Sequence, residues 1–114
     1  MKAKLNLNLK PLNPEKYKQR LVEKKDYNDV CEISKNVWDG DDYLLDVFHE
    51  WVDSPGLFVG IQDIVKNKIV ALGKYSYLPD KSGLIEGLRV HNDYRGEGLA
   101  WQVDLPIFKK ALND

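Results

Sequence analysis

Apolar and polar residues alternate near the beginning of the chain, and two prolines then interrupt the alternation. The alternating apolar residues are Leu5, Leu7 and Leu9, and the prolines are Pro11 and Pro14. A period of two is typical of a half-buried edge strand, although a loose tail would show the same pattern. We therefore expect residues 1–16 to form an N-terminal extension with a candidate edge strand, followed by one domain over residues 17–114.

Two later segments have the spacing of amphipathic helices. The first extends from about Lys25 to Asn36, with Asp26 in its first turn. The second follows an acidic turn, and its apolar stripe consists of Leu44, Val47, Phe48 and Trp51. Each helix is expected to bury this apolar face.

Strands are indicated by short segments rich in branched and aromatic residues. They are Gln19 to Val22, Leu57 to Ile61, Lys68 to Tyr77 and Leu84 to Val90. The last three follow one another through polar turns, which favours antiparallel pairing. Together with a final helix, this order predicts an α+β domain with a mostly antiparallel sheet and helices on both of its faces.

The composition is that of a globular protein, with 114 residues of which 43% are hydrophobic and 31% are charged. The net charge of -1 gives no overall positive field, so neither nucleic acid nor an anionic membrane is expected as a partner. Cys31 is the single cysteine and there are two histidines, so we expect neither a disulfide nor a metal site. Since no signal peptide or membrane-spanning run is visible, the expected location is cytoplasmic.

A glycine-rich turn separates the strand at Leu84 to Val90 from the final helix. The turn and helix start read Arg95, Gly96, Glu97, Gly98, Leu99 and Ala100. Glycine permits the backbone dihedrals that aim several N–H groups at an anion, and the following helix adds its dipole. This turn is therefore a candidate phosphate cradle, although most glycine pairs of this kind are only turns.

Two other phosphate-binding motifs do not fit this spacing. A Walker loop ends in Gly-Lys-Ser or Gly-Lys-Thr, and neither triplet occurs in the chain. A dinucleotide fingerprint requires a third glycine three residues after the second, where this chain has Trp101. Both motifs are disfavoured.

The segment around the turn resembles the acetyl-CoA signature of the GNAT superfamily of N-acetyltransferases. That signature has Arg or Gln, two residues, Gly, any residue, and then Gly or Ala; Arg95, Gly98 and Ala100 match it. The Asp-Tyr-Arg-Gly quartet at 93–96 adds to the likeness. The resemblance covers about Tyr17 to Leu112 and implies an acyl-CoA N-acyltransferase-like fold, of which residues 17–114 would be the N-terminal and central part.

The resemblance implies that acetyl-CoA is the co-substrate and assigns roles to the turn and the strand before it. The amides of residues 95–100 would hold the pyrophosphate. Leu88 and Val90 would lend backbone hydrogen bonds to the pantetheine arm, as an added strand does. The family transfers the acetyl group directly from the thioester to a primary amine, so the expected acceptor is a small-molecule or amino-acid-like amine and no nucleophilic side chain is required.

Glu86 is the candidate general base, because the attacking amine must first lose a proton. Strand alternation would place Glu86 on one face with Leu84, Leu88 and Val90, where desolvation would make the carboxylate a stronger base. The alternative interpretation is that Glu86 forms a structural ion pair with a Lys or Arg near the margin of the sheet.

The resemblance also implies that the first two helices and the loop between them select the acceptor. The candidate acceptor-binding residues in this loop are Trp38, Asp41 and Tyr43. The aspartates of the loop could attract a cationic amine, but they are more simply turn and helix-start residues. His91, just past the last strand, is expected to be exposed to solvent.

Family members generally continue beyond the cofactor-binding helix, whereas this chain ends at Asp114. It would then be a natural truncation, a cleaved fragment or half of a split protein. A sheet without its last strands favours association, so we expect a homodimer or a partner that supplies them. Pro106 is expected to kink or shorten the final helix. The alternative function is a truncated, non-catalytic acyl-CoA-binding or interaction module.

Overall fold

Within the described residues, four antiparallel strands form a sheet in the order in which they occur along the chain. The computed structural model describes residues 11–35, 42–80 and 82–113. The strands are β1 (Tyr17–Leu21), β2 (Gly56–Asp63), β3 (Lys68–Tyr77) and β4 (Gly83–Val90). The helices are α1 (Tyr27–Ser34), α2 (Leu44–Asp53) and α3 (Leu99–Asn113), and 3₁₀ turns lie at Lys24–Asp26 and Asn92–Tyr94. The predicted α+β fold is confirmed.

Helices cover both faces of the sheet, and a buried apolar cluster fills the space beneath each layer. On one face, Val103 and Ile107 of α3 join Tyr75 of β3 in one cluster. On the other face, Phe48 of α2 joins Leu72 of β3 in a second cluster that also includes side chains of α1. β3 is therefore buried on both sides, which explains its nearly continuous apolar sequence.

The predicted element boundaries differ from the observed ones by a few residues, except for β3, where both ends agree. β1 begins two positions before its predicted start, and the first predicted helix is divided into a 3₁₀ turn and α1. The predicted N-terminal alternating segment, Trp38 and Asp41 lie outside the described residues. Among the described helices, none has the length and apolarity needed to cross a membrane.

Pro106 does not shorten α3, which continues from Leu99 to Asn113. Proline lacks the N–H that would bond the carbonyl four residues earlier, at Gln102. That carbonyl instead accepts a hydrogen bond from Nε2 of Gln19 on β1, at 2.8 Å. A side chain of the neighbouring strand therefore satisfies the acceptor that the proline leaves open, and the expected shortening is wrong for this reason.

A β-bulge interrupts the regular alternation of β4. Leu72 of β3 pairs with Arg89, and Lys74 pairs with Glu86, so one residue of β3 lies opposite two residues of β4. Gly87, one of those two, has φ of 75°, in the left-handed region that glycine adopts readily. The bulge is thus located at Gly87, in the interior of the strand.

The bulge divides the side chains of β4 between the two faces of the sheet. Directly paired residues share a face, so Glu86 lies on the face of Lys74, towards α2. Leu88 and Val90 instead pack against the cluster beneath α3. The expectation that strand alternation places Glu86 on one face with Leu88 and Val90 is therefore wrong, because it assumed a strand without an extra residue.

Candidate functional site

A cavity of about 430 Å³ lies where β4 ends and α3 begins. Its lining consists of Leu88, Val90, Tyr94, Arg95, Gly96, Gly98, Leu99 and Ala100. Seven of these eight residues are ones that the sequence predicts for acetyl-CoA binding; Tyr94 is added, and the side chain of Glu97 is absent from the lining. The fold brings the predicted residues together into one concave surface, which we call the cradle.

The two glycines of the cradle have left-handed backbone conformations, with φ of 86° at Gly96 and 77° at Gly98. A Cβ atom at either position would meet no atom within 4 Å. It is therefore the backbone conformation, and not a lack of space, that requires glycine here. Such a turn directs successive N–H groups to one side, as anion-binding backbone nests do.

The first turn of α3 forms one wall of the cradle. Its first helical hydrogen bond runs from the amide of Gln102 to the carbonyl of Gly98, at 3.4 Å. The amides of the preceding residues in this turn have no partner within the helix, because no carbonyl lies four positions before them in helical conformation. The first turn also contains no acidic residue. Donors without a partner in the helix and the positive end of the helix dipole therefore both favour an anion in the cradle.

Tyr94 is a fixed part of the cradle to which the sequence analysis assigned no role. It is 6% exposed, and its hydroxyl donates to Oδ2 of Asp63 on β2 at 2.5 Å. Its ring also makes an edge contact with Tyr17 of β1, at 6.3 Å between centroids. Burial and the bond to Asp63 raise the pKa of Tyr94 to about 12. The hydroxyl thus stays protonated at neutral pH and anchors the turn to the sheet.

Glu97 lies in the turn, but its side chain is held away from the cradle. Its carboxylate accepts hydrogen bonds from the hydroxyl of Tyr17 and from Nζ of Lys16, the latter at 3.0 Å. These two bonds lower the pKa of Glu97, so it is ionised and paired at neutral pH. The contacts remove a negative side chain from the anion site and fasten the turn to the start of β1.

Arg95 contributes the positive side chain of the cradle. It is exposed, and it belongs to none of the ion pairs found in residues 11–35, 42–80 and 82–113. Its charge is therefore available to a bound anion. With the amides of the turn and the α3 dipole, the site suits a diphosphate such as that of CoA, and the apolar side chains of Leu88 and Val90 extend it towards β4.

Glu86 is half-buried on β4, and its carboxylate accepts a bond of 3.4 Å from Oγ of Ser76 on β3. Within the described residues it takes part in no ion pair, so the alternative of a direct structural salt bridge is not observed. Its cationic neighbour is Lys74, the residue opposite it in the ladder. The carboxylate thus lies in polar surroundings, unlike the apolar ones expected.

Lys74 is a buried cation that the sequence analysis missed. It is 1% exposed, and its ammonium group donates to three carbonyls at the end of α2. They are those of Trp51, Ser54 and Pro55, at 3.0, 3.3 and 3.2 Å. Burial lowers the pKa of Lys74, and the nearby charge of Glu86 opposes this shift. A lysine in the middle of an otherwise apolar strand was the signal that could have identified it.

The start of α2 is tied to β4 by a buried ion pair. Asp42, 6% exposed, accepts hydrogen bonds from Nε and Nη2 of Arg89 at 3.1 and 3.2 Å, and it caps the amide of Leu44 at 3.0 Å. The aromatic ring of Tyr43 lies 5.6 Å from the Arg89 guanidinium. The charge of Asp42 is therefore neutralised within the fold, which favours the turn-residue interpretation at this position over the attraction of an amine.

His91 is 7% exposed, so the expectation that it faces solvent is wrong. Its Nδ1 accepts a hydrogen bond from the amide of Asp93 at 3.1 Å, and its ring contacts Tyr94 at 5.6 Å. The sequence placed it in a loop, but this loop packs on the sheet. His91 thus helps to shape the turn that leads into the cradle.

A family model described as "Acetyltransferase (GNAT) family" matches residues 24–103 of the chain. The match includes β4 and the turn, and it ends within α3. None of the curated protein sequences matches the chain significantly. The family model thus covers well over half of the 114 residues.

Solved structures of acetyltransferases have the same fold. An acetyltransferase from Trypanosoma brucei has a TM-score of 0.68 at 15% identity, covering 85% of this chain and 75% of that one. The ribosomal-protein-S18-alanine N-acetyltransferase from Escherichia coli has a TM-score of 0.68 at 13% identity, covering 83% of this chain and 59% of that one. A GNAT acetyltransferase from Staphylococcus aureus has a TM-score of 0.70 at 12% identity, covering 85% of this chain and 66% of that one. The chain thus spans 59% to 75% of the length of these three proteins.

Proposed function

Because the chain belongs to the acetyltransferase (GNAT) family, we propose that it transfers the acetyl group of acetyl-CoA to a primary amine of a small-molecule or amino-acid-like acceptor. One observation carries this proposal. Two left-handed glycines and the start of α3 form an anion cradle directly beside the end of β4. The experiment that tests it is the binding of CoA, followed by turnover.

In this proposal, two neighbouring elements of the cradle bind different parts of the CoA molecule. The pyrophosphate binds to the amides of residues 95–100 and to the guanidinium of Arg95. The pantetheine arm follows the backbone at Leu88 and Val90, whose side chains line the same cavity. The thioester then lies further along β4, next to the part of the strand that contains Glu86.

Acetyl transfer proceeds by direct attack in this proposal. The nitrogen lone pair of the neutral amine attacks the carbonyl carbon of the thioester, the C–S bond breaks, and CoA leaves as a thiolate that takes up a proton. The proton lost by the amine passes to Glu86, directly or through water. Tyr43, together with Trp38 and Asp41 outside the described residues, forms the acceptor side of the site.

Replacing Glu86 with glutamine is expected to lower kcat about 100-fold or more, because the amide has no basic oxygen to accept the amine proton. The side chain keeps its size and can still accept the bond from Ser76, so the affinity for CoA should change little. Steady-state turnover as a function of pH measures the effect.

The matched control for this substitution is Glu50→Gln, an exposed residue of α2. It removes the same charge without touching β4 and should leave the rate unchanged. If Glu86→Gln keeps the full rate, Glu86 has no part in proton transfer.

Calorimetric titration with CoA is expected to give a dissociation constant in the micromolar range, as a preformed diphosphate site would. Gly98→Val should weaken binding at least tenfold, because a β-branched residue does not adopt the backbone conformation of the turn. Absence of heat at millimolar CoA would contradict the proposal. Tight binding without turnover on a panel of amines would indicate a non-catalytic acyl-CoA-binding module instead.

The expected homodimer, or a partner that supplies strands, stays a prediction. It concerns the outer edge of β4, where Leu84 and Ile85 are each 40% exposed. Among the described strands, β4 pairs only with β3.

A further inference from the structure

An apolar groove runs along the side of α3 away from the sheet core, next to β1. Four large apolar side chains of α3 face it and are exposed by 36% to 87%: Trp101, Leu105, Phe108 and Leu112. Gln19 of β1 and Gln102, Pro106 and Lys109 of α3 complete its lining, and its volume is about 640 Å³. Clustered large apolar side chains of this kind are unusual on a soluble surface and indicate a binding face.

The groove adjoins an open edge of the sheet. Within residues 11–35, 42–80 and 82–113, β1 pairs with β2 alone, so the other side of β1 offers backbone donors and acceptors. Tyr17 and Gln19 point from β1 towards α3, as the Gln19 bond to the Gln102 carbonyl shows. A strand added to this edge would therefore direct every second side chain towards the groove.

The chain enters β1 from a position beside the groove. Pro11 and Leu12 line a small cavity together with Gln102, and Leu12 packs on the cluster beneath α3. The amides of Lys16 and Tyr17 then both donate to the carbonyl of Asn13, at 3.1 and 2.9 Å. This tight turn reverses the chain just before β1, which is how an antiparallel neighbour of β1 would connect to it.

The ten residues before Pro11 have the pattern that this edge requires. Leu5, Leu7 and Leu9 alternate with Lys4, Asn6, Asn8 and Lys10. Ten extended residues reach about 33 Å, whereas the stripe from Trp101 to Leu112 is about 17 Å long. The segment is thus long enough to cover the groove. Its covalent attachment beside Gln102 also gives it an effective concentration that a separate chain does not have.

We propose that residues 1–10 add to the free edge of β1 as an antiparallel strand and place Leu5, Leu7 and Leu9 over the apolar groove of α3. This strand covers the edge of the sheet and the exposed side of the helix whose first turn forms the cradle. The polar residues between the leucines face the opposite side, towards solvent. The proposal is independent of the chemistry at the cradle.

Disulfide trapping in the full chain tests this arrangement. In a Cys31→Ser background, Leu7→Cys is combined with Leu105→Cys, and the matched control combines Asn8→Cys with Leu105→Cys. Because neighbouring residues of a strand point to opposite faces, the Leu7 pair should form an intramolecular disulfide at least about fivefold faster. Loss of two thiols in a species of monomer mass identifies it, and Phe108→Cys in place of Leu105→Cys provides a second partner site.

Each other outcome overturns the proposal. Equal rates for the Leu7 and Asn8 pairs would mean that the segment has no fixed face towards the groove. No disulfide with either partner site would mean that the segment does not reach it. Disulfides found only between two chains, at a rate that rises with protein concentration, would assign the groove to a second copy.

Discussion

Asp42→Ala is expected to lower the free energy of unfolding by about 3 kcal/mol, because it removes the carboxylate that neutralises the mostly buried charge of Arg89. The side chain of Asp42 has no exposed surface and that of Arg89 is 16% exposed, so water cannot replace the lost partner fully. The substitution also removes the cap of the Leu44 amide at the start of α2. Urea unfolding followed by circular dichroism measures the loss.

Two variants separate the contribution of the charge pair from that of the Leu44 cap. Asp42→Asn keeps an oxygen for the Leu44 amide but not the charge, so its loss should lie between those of the wild type and Asp42→Ala. Combining Asp42→Ala with Arg89→Met removes both charges, and the double variant should be more stable than the sum of the single losses implies. A loss below about 1 kcal/mol in Asp42→Ala would show that the pair does not hold α2 to β4.

The pair of Asp42 and Arg89 also determines in which direction the free energy of unfolding changes with pH. Burial acts to raise the pKa of Asp42, but the bonds from Arg89 and from the Leu44 amide outweigh it and hold the pKa below its usual range. The stabilisation is therefore complete above the pKa of the unfolded state, near 4, and is lost as the pH falls through the folded-state value. The stability curves of the wild type and Asp42→Ala should accordingly converge in acid.

The sequence was informative where a local pattern determines the structure. The bounds of β3 were predictable because a buried strand is a continuous apolar run between polar turns, here Lys68–Tyr77. The cradle was predictable because its glycines, the preceding strand and the following helix are adjacent in sequence. In these cases the contacts that define the element lie within a few residues of one another.

The contacts that the sequence did not reveal join distant residues. Glu97 binds Lys16, 81 positions away, and Arg89 binds Asp42, 47 positions away. No local pattern distinguishes these charged residues from solvated ones, so their pairing becomes visible only in the folded chain. The bulge is different, because an isolated glycine within a strand pattern is itself a signal, and Gly87 carried it.

Gly87→Ala is expected to destabilise the protein by about 3 kcal/mol or more, from left-handed strain and from overpacking together. A Cβ atom at this position would lie 2.4 and 2.6 Å from Cζ3 and Cη2 of Trp51. Trp51 is 7% exposed and packs edge-on against Phe58 and Tyr43, so its ring has little room to move. If β4 became a regular strand to relieve the clash, its alternation would turn either Glu86 or Leu88 to the opposite face of the sheet. The proposed acetyl transfer should therefore fall together with stability.

Gly96→Ala is the matched control, because Gly96 has a similar φ of 86° but open space around its Cβ position. It should show the backbone strain alone, about 1 kcal/mol. The difference between the two variants in urea unfolding then measures the contact with Trp51. Equal losses would mean that the Trp51 ring does not hold the bulge in place. The division of β4 between Glu86 on one face and Leu88 and Val90 on the other would then have to depend on the backbone of Gly87 alone.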